Sequence, residues 1–258
     1  MMLAVETPWA VELVGFGKSY RTGWIGSQTA AVRSLTLRLA PGQVLGLLGP
    51  NGSGKSTTLK ALGGLLAPTR GHCLIFGHPA GSDEARALIG YLPELPHYPL
   101  HLSGREFLYY CGGLSSLAEE YLSERVSEVL TWSGLSAAAE QRLGTYSKGM
   151  LQRVGLAQAI LHDPPLVLLD EPASGLDPSG RLALNRLIRD LAARGKTVVF
   201  SSHLLANTEQ LCDRLAILGR GEILIEGTPG ELLGTVRDDV PQPSRLEKLY
   251  LEKLAAHE

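Results

Sequence analysis

Residues 49–57 read GPNGSGKST, a full match to G-x-x-x-x-G-K-[ST], and they follow a short apolar run at 44–48 that reads as a strand buried on both faces. The chemistry of such a loop is anion binding. Its glycines let successive backbone N–H groups converge on one point, and the helix that the pattern STTLKALGGLL predicts from Lys55 directs its positive dipole end there. Gly49, Pro50, Asn51, Gly52, Ser53 and Gly54 form the expected phosphate cradle, which continues through Thr57. Lys55 is placed to reach β- and γ-phosphates, and the Ser56 hydroxyl to ligate Mg²⁺. The bland alternative, a glycine-rich turn with a solvated lysine, does not call for the strand before it or the helix after it.

Two carboxylates, Asp170 and Glu171, emerge together at the end of a second apolar run, LVLLDEP. In open α/β sheets ligands bind outside the carboxyl ends of parallel strands. Asp170 is therefore placed to hold Mg²⁺, directly or through water, and Glu171 to orient and polarise an attacking water. Paired acids at a strand end can also be helix-capping charges; the phosphate loop upstream favours the catalytic reading. His203 ends a third apolar run, TVVFSSH, and should lie on the same edge, where an imidazole could contact a γ-phosphate. A strand-end histidine taken alone is more often structural.

These groups need a sheet to hold them. Residues 11–16 (VELVGF) and 32–40 (VRSLTLRLA) alternate as half-buried antiparallel strands do, and 73–77 (CLIFG) reads as a further strand. From Gly104 to about Leu161 the periodicity becomes helical, with Leu122, Val126, Val129 and Leu130 on one face. The alternation of strand and helix then resumes: 165–172, a helix over 181–193, 197–203, and a hairpin of 214–218 with 222–225 joined by GRG. Residues 236–244 have linker composition, and Leu246, Leu249, Tyr250 and Leu254 then sit at helical spacing, with docking on the chain's own domain as the default.

The 258 residues carry 24 Lys+Arg against 26 Asp+Glu, a net charge of −2, which offers no global attraction to nucleic acid or anionic lipid. Three scattered cysteines make a disulfide framework or zinc site an unsuitable reading. Cys111 and Cys212, in apparent helical contexts, read as small buried apolar residues. The histidines lack paired ligand spacing, so no metal beyond Mg²⁺ is expected. No run approaches the roughly 18 apolar residues of a membrane span, and the start lacks the pattern of a signal peptide.

Three further segments, at the right order and spacing, resemble the ATP-binding subunits of ABC transporters. YSKGMLQR (146–153) is similar to that family's signature motif, with Ser147 and Gly149 at matching positions; SGLD (174–177) resembles its D-loop, ending in Asp177; His203 matches its switch histidine. Tyr20 matches the aromatic residue on which adenine stacks, although a plain surface aromatic remains the alternative. The resemblance implies an α/β fold of the P-loop NTPase type: a RecA-like core, an N-terminal antiparallel β-subdomain and an inserted α-helical signature subdomain. The expected division is 9–235 for the ATP-binding domain, with the helical subdomain at about 95–161, and 236–258 for a linker and short amphipathic helix.

The resemblance also implies a mechanism. Two such subunits, identical or pseudo-symmetric, face head to tail, and each ATP lies between the phosphate loop of one and Ser147 and Gly149 of the other. Hydrolysis to ADP and phosphate parts them and moves a separate integral membrane permease, which places the chain at the cytoplasmic face of the membrane. Two departures stand out. Glu94, in IGYLPEL, replaces the Q-loop glutamine that touches Mg²⁺ and the attacking water, and Lys148 and Met150 replace the usual Gly and Gln of the signature. With the C-terminal LEKLYLEKL, these resemble the subgroup whose permeases are of the ABC-2 type, mostly exporters.

Two other readings stay open at this stage: a non-transport ABC ATPase acting as a mechanical or regulatory module, and a binding module that keeps ATP as a structural ligand. The aromatic segment Tyr98, Phe107, Tyr109, Tyr110 divides between helical core and a groove for a permease helix, with core favoured. Trp24 lies in an inserted loop that either shapes the adenine side or is a surface turn. Nothing in these residues reads the cargo.

Overall fold

The computed structural model describes residues 8–22, 27–115, 117–203, 208–234 and 242–256. In chain order the elements are β1 (Val11–Thr22), β2 (Ser27–Leu39), β3 (Val44–Leu48), α1 (Lys55–Leu62), β4 (Arg70–Ile75), β5 (His78–Pro79), α2 (Asp83–Ala87) and β6 (Ile89–Leu92). Next come α3 (Gly104–Leu114), α4 (Glu119–Trp132), α5 (Lys148–Ala159), β7 (Leu166–Leu169), α6 (Pro178–Ala193) and β8 (Thr197–Ser202). The chain continues through β9 (Arg214–Gly219), β10 (Glu222–Gly227), α7 (Pro229–Leu233) and α8 (Gln242–Ala255). Trp24 and residues 236–241 of the expected linker lie outside the described residues.

The strands form two sheets. One is antiparallel, in the order β2-β1-β4-β5; the other has six strands in the order β10-β9-β3-β8-β7-β6, parallel except for β10 at its edge. Parallel strands are covered on both faces, and β3, β7 and β8 are accordingly buried at every position. Alternate residues then face two different cores. Leu45, Leu47, Leu166, Leu168 and Val199 pack with β1, β2 and α1, against Leu13, Leu35, Leu39 and Leu59. Val44, Leu48, Val167, Leu169, Val198 and Phe200 face the helices, against Leu108, Val126, Val154, Leu184 and Ile188. The fold is that of a P-loop NTPase: a RecA-like parallel core, an N-terminal antiparallel sheet on one face and helices on the other.

The helical segment consists of α3, α4 and α5, with short 3₁₀ turns at Ser136–Ala138 and Leu143–Thr145. Leu122, Val126, Val129 and Leu130 form the buried face of α4. Ser103 opens α3 with a capping box: its hydroxyl accepts from the Glu106 N–H, and the Glu106 carboxylate accepts from the Ser103 N–H. Tyr98 packs edge-on against Phe107, ring centroids 5.4 Å apart, while Tyr110 is exposed.

Three local features differ from the sequence expectation. The strand β6 and helix α2 are not announced by periodicity, because four and five residues are too few to show a period. At Gly90 a β-carbon would stand 1.8 Å from the Ala159 carbonyl oxygen, so this glycine lets α5 close on β6. Cys212 is not helical: it sits in the loop before β9, with Sγ 2.9 Å from where a Gly46 β-carbon would be. The C-terminal helix starts at Gln242, earlier than the expected linker end at 244, and Leu246 is fully buried in the helix-side core.

Candidate active site

The strand β3 ends in the phosphate loop, and α1 starts where the loop ends. Two glycines are indispensable to the turn. Gly49 has φ 157°, and a β-carbon there would lie 2.5 Å from the Leu218 carbonyl oxygen; Gly54, at φ 105°, would strike the Ala31 carbonyl oxygen at 2.9 Å. Gly54 caps α1 without a side-chain acceptor, so the amides of the first turn are left for a ligand. Lys55, the first residue of α1, is buried, and its Nζ donates to the carbonyl oxygens of Gly49 (2.7 Å) and Pro50 (3.2 Å).

The carboxylates stand beside this loop at the end of β7. Ser56 Oγ–H donates to Asp170 Oδ1 at 2.9 Å, and Ser201 Oγ–H donates to the same oxygen at 2.7 Å. Glu171 has φ 47°, rare for a residue with a side chain, and its N–H donates to Ser201 Oγ at 2.7 Å. Its carboxylate is held on two sides: Lys55 Nζ is 3.5 Å from Oε1, and His203 Nδ1 is 2.8 Å from Oε2. His203 also donates its backbone N–H to Oε2, at 3.4 Å. Ser201 escaped the sequence reading; the only signal was a polar pair, Ser201 and Ser202, closing an otherwise apolar strand.

A cavity of about 340 Å³ opens here, lined by Ala31, residues 51–57, Glu94, Glu171 and His203. Gly49, Pro50 and Asp170 are not among the lining residues but bond to ones that are: Gly49 and Pro50 accept from Lys55, and Asp170, fully buried, accepts from Ser56. At this site two buried polar atoms, Ser53 Oγ and Asp170 Oδ2, have no hydrogen-bond partner. An ionised carboxylate oxygen without a partner is costly to bury. Hydroxyl and carboxylate oxygens around such a vacancy of bonding suit Mg²⁺, a hard cation that takes oxygen ligands and keeps several waters.

Not every expected residue is at this cavity. Tyr20, on β1, is 42% exposed, pairs with Thr29 of β2 and carries the Lys18 ammonium 5.6 Å above its ring. Ser147, Gly149 and Asp177 form a separate cluster. Ser147 caps α5, its Oγ accepting from the Met150 N–H at 3.3 Å, and a Gly149 β-carbon would be 3.6 Å from Leu176. Asp177 caps α6, accepting from the Gly180 N–H at 2.8 Å and the Ser179 hydroxyl at 2.9 Å. Those bonds, the Gly180 amide first, hold its carboxyl below the usual range. Lys148 lies over Gly175, whose β-carbon would meet Lys148 Cε at 2.4 Å. None of the three lines the cavity.

Residues 32–174 match the family described as ABC transporter. The chain belongs to that family. An uncharacterized ABC transporter ATP-binding protein of Nostoc sp. is 44% identical over 233 residues, which covers 89% of this chain and 70% of that one. The Nod factor export ATP-binding protein I of Rhizobium sp. is 36% identical over 226 residues, covering 87% of this chain and 72% of the relative. Among solved structures, an ATP-binding subunit of an ABC transporter superposes with TM-score 0.81 at 29% identity, over 95% of this chain and 99% of the other. The dimeric cassette MJ0796, in a post-hydrolysis state bound to ADP and Pi, superposes with TM-score 0.78 at 27% identity, over 85% and 98%. No described helix of the present ABC protein is long and apolar enough to cross a membrane.

Proposed function

We propose that this chain is the ATP-hydrolysing motor subunit of an ABC transporter and energises a separate permease of the ABC-2 type, in the direction of export. One observation carries the hydrolytic part: the Glu171 carboxylate lines the phosphate cavity beside Lys55, while Asp170 accepts from Ser56 with Oδ1 and keeps Oδ2 unpartnered. The loop amides of 49–57 and the Lys55 ammonium bind the phosphates, and Tyr20 stacks on adenine. Ser56, Asp170 and Glu94 are the groups that would hold Mg²⁺, which when bound neutralises developing charge on the phosphates. Glu171 accepts the proton of the attacking water, and His203 holds Glu171 in place and meets the γ-phosphate.

That Ser147, Gly149 and Asp177 do not line the cavity of their own chain supports a head-to-tail dimer in which they complete the site of the second copy. The corresponding division is an ATP-binding domain at 9–235, its helical part at about 95–161, and a C-terminal segment at 236–258. The exposed Leu95, Leu100 and Tyr110 follow Glu94 and support a permease-facing groove there. A net charge of −2 gives no reason to expect nucleic acid, and a permease partner would put the chain on the cytoplasmic face of the membrane.

Phosphate release measured with and without Mg²⁺ tests the enzymatic part; turnover that ignores the metal would remove it. Co-purification from membranes tests the rest. A polytopic membrane protein in the complex supports the transporter reading, and a complex with ribosomes, DNA or cell-wall machinery in its place would favour a non-transport ATPase.

A further inference from the structure

We propose that Ser201 is a positioning residue for hydrolysis: one buried hydroxyl ties the backbone of Glu171 to the carboxylate of Asp170, so that the base and the metal-side acid are set together. The proposal rests on the ATPase reading above. The ladder between β7 and β8 ends at the pair Leu169 and Phe200, so on this side Asp170 and Glu171 lose their strand partner just where Ser201 follows, although the Asp170 N–H still donates to the Leu92 carbonyl of β6. Its side chain takes over where the backbone bonds stop. The hydroxyl donates to Asp170 Oδ1 (2.7 Å) and accepts the Glu171 N–H (2.7 Å), which uses its one proton and one of its lone pairs. Ser201 is 0% exposed, so no water competes for either bond.

Both ends of that bridge matter for geometry. Glu171 sits at φ 47°, a conformation that a residue with a side chain keeps only when its surroundings over-determine it. Residues two apart on a strand share a face, and His203, two beyond Ser201, grips the Glu171 carboxylate at 2.8 Å. The end of β8 thus holds Glu171 at its amide and at its carboxylate. On the other side, Asp170 Oδ1 accepts from both Ser56 and Ser201, which leaves Oδ2 as the oxygen without a partner. Ser201 thereby fixes which carboxylate oxygen is available and where the neighbouring base stands.

The test compares Ser201→Ala and Ser201→Thr in the full chain. Phosphate release gives kcat and the Mg²⁺ concentration for half-maximal rate, ATP affinity is measured in EDTA, and thermal melting is followed throughout. Ser201→Ala should lower kcat about 10–100-fold, the usual effect of removing a group that orients a ligand-bearing side chain, and should raise the Mg²⁺ requirement. Its metal-free ATP affinity should stay within about twofold, since the cradle is untouched. Ser201→Thr keeps the hydroxyl and should recover most of the rate, whereas a role in packing alone would make the added methyl worse than Ala. Wild-type kcat and Mg²⁺ dependence in Ser201→Ala, or equal losses of turnover and metal-free ATP binding, would overturn the proposal; so would Thr performing no better than Ala. A wild-type chain without Mg²⁺-dependent turnover would overturn the ATPase reading itself, and this proposal with it.

Discussion

Lys55 Nζ stands 3.5 Å from Glu171 Oε1, and both side chains are almost wholly buried. The cation expected to meet the phosphates and the carboxylate expected to activate water therefore satisfy one another. A buried pair of this kind contributes little net stability, but removing one member strands the other. ATP would compete for the same ammonium, drawing Lys55 toward the phosphates and releasing Glu171 toward the γ-phosphate side. On the proposed reading, nucleotide binding and exposure of the base would be coupled through one contact.

That coupling separates two substitutions. Lys55→Ala leaves the Glu171 charge with only His203 beside it, so the chain should lose about 3 kcal/mol of stability, or roughly 5–10 °C in melting temperature, along with ATP binding. Glu171→Gln keeps the shape, removes the charge and leaves the cradle intact. Lys55 keeps its bonds to the Gly49 and Pro50 carbonyls, so Glu171→Gln should melt within a few degrees of wild type, bind ATP, turn over about 10²–10⁴-fold more slowly and accumulate an ATP-bound dimer. Melting curves, nucleotide titrations and size-exclusion chromatography distinguish the two. Unchanged turnover in Glu171→Gln would remove Glu171 as the base.

Glu94 lines the same cavity with a negative charge where the family resemblance leads one to expect a neutral amide. An exposed carboxylate near a triphosphate repels it by roughly 0.5–1 kcal/mol at the intermediate dielectric of a surface cleft. Glu94→Gln should accordingly tighten ATP binding in EDTA by about 2–5-fold. The gain should shrink as salt is raised, because the interaction is screened. If Glu94 also ligates Mg²⁺, the same variant will need more of the metal for half-maximal turnover. Isothermal titration over a salt series, with the Mg²⁺ dependence of phosphate release, measures both.

Asp177 offers a pH test on the other cluster. Its folded pKa is depressed, by the Gly180 amide first and the Ser179 hydroxyl next. The sign follows from linkage: its contribution is fully present above the ordinary carboxylate value of about 4 and is lost as pH falls through the lower folded value. Asp177→Ala should melt below wild type at neutral pH, and the gap should narrow as the medium is acidified below about pH 4. Melting temperatures of the two chains from pH 2.5 to 7 check this, and a gap that stays constant would show that the carboxylate is not what caps α6.

Much of this arrangement is legible in the residues. The run LVLLDEP places Asp170 and Glu171 at a strand end because a parallel strand is apolar throughout and its first acids mark where it leaves the sheet. The hairpin of β9 and β10 is announced by GRG, and its turn residues Arg220 and Gly221 both adopt positive φ, 47° and 82°, as a tight antiparallel turn requires. What was illegible is short or lateral. Four residues of β6 cannot show a period, and Gly90 is present for an approach by α5 that is distant in sequence. Ser201 is silent for a related reason. Its importance lies in bonds to residues about thirty positions earlier, and alternation along its own strand says nothing of them.

The absence of Ser147 and Gly149 from the cavity lining carries the last prediction. Ser147 and Gly149 do not line the cavity formed by the phosphate loop of their own chain, so under the proposed head-to-tail arrangement a complete site would need two copies. Take one chain with Lys55→Ala and another with Ser147→Arg, each expected to be inactive alone. Equal mixing makes half of the dimers mixed. In each mixed dimer, one site combines both defects and the other combines an intact phosphate loop with an intact signature. The mixture should recover about a quarter of the wild-type turnover if the two sites act independently, and less if they must fire together. Turnover of the mixture should rise with the square of protein concentration at high dilution, as dimer formation does, and become linear once dimers predominate. Any single-chain mechanism predicts no recovery at all, so phosphate release from the mixture decides between them.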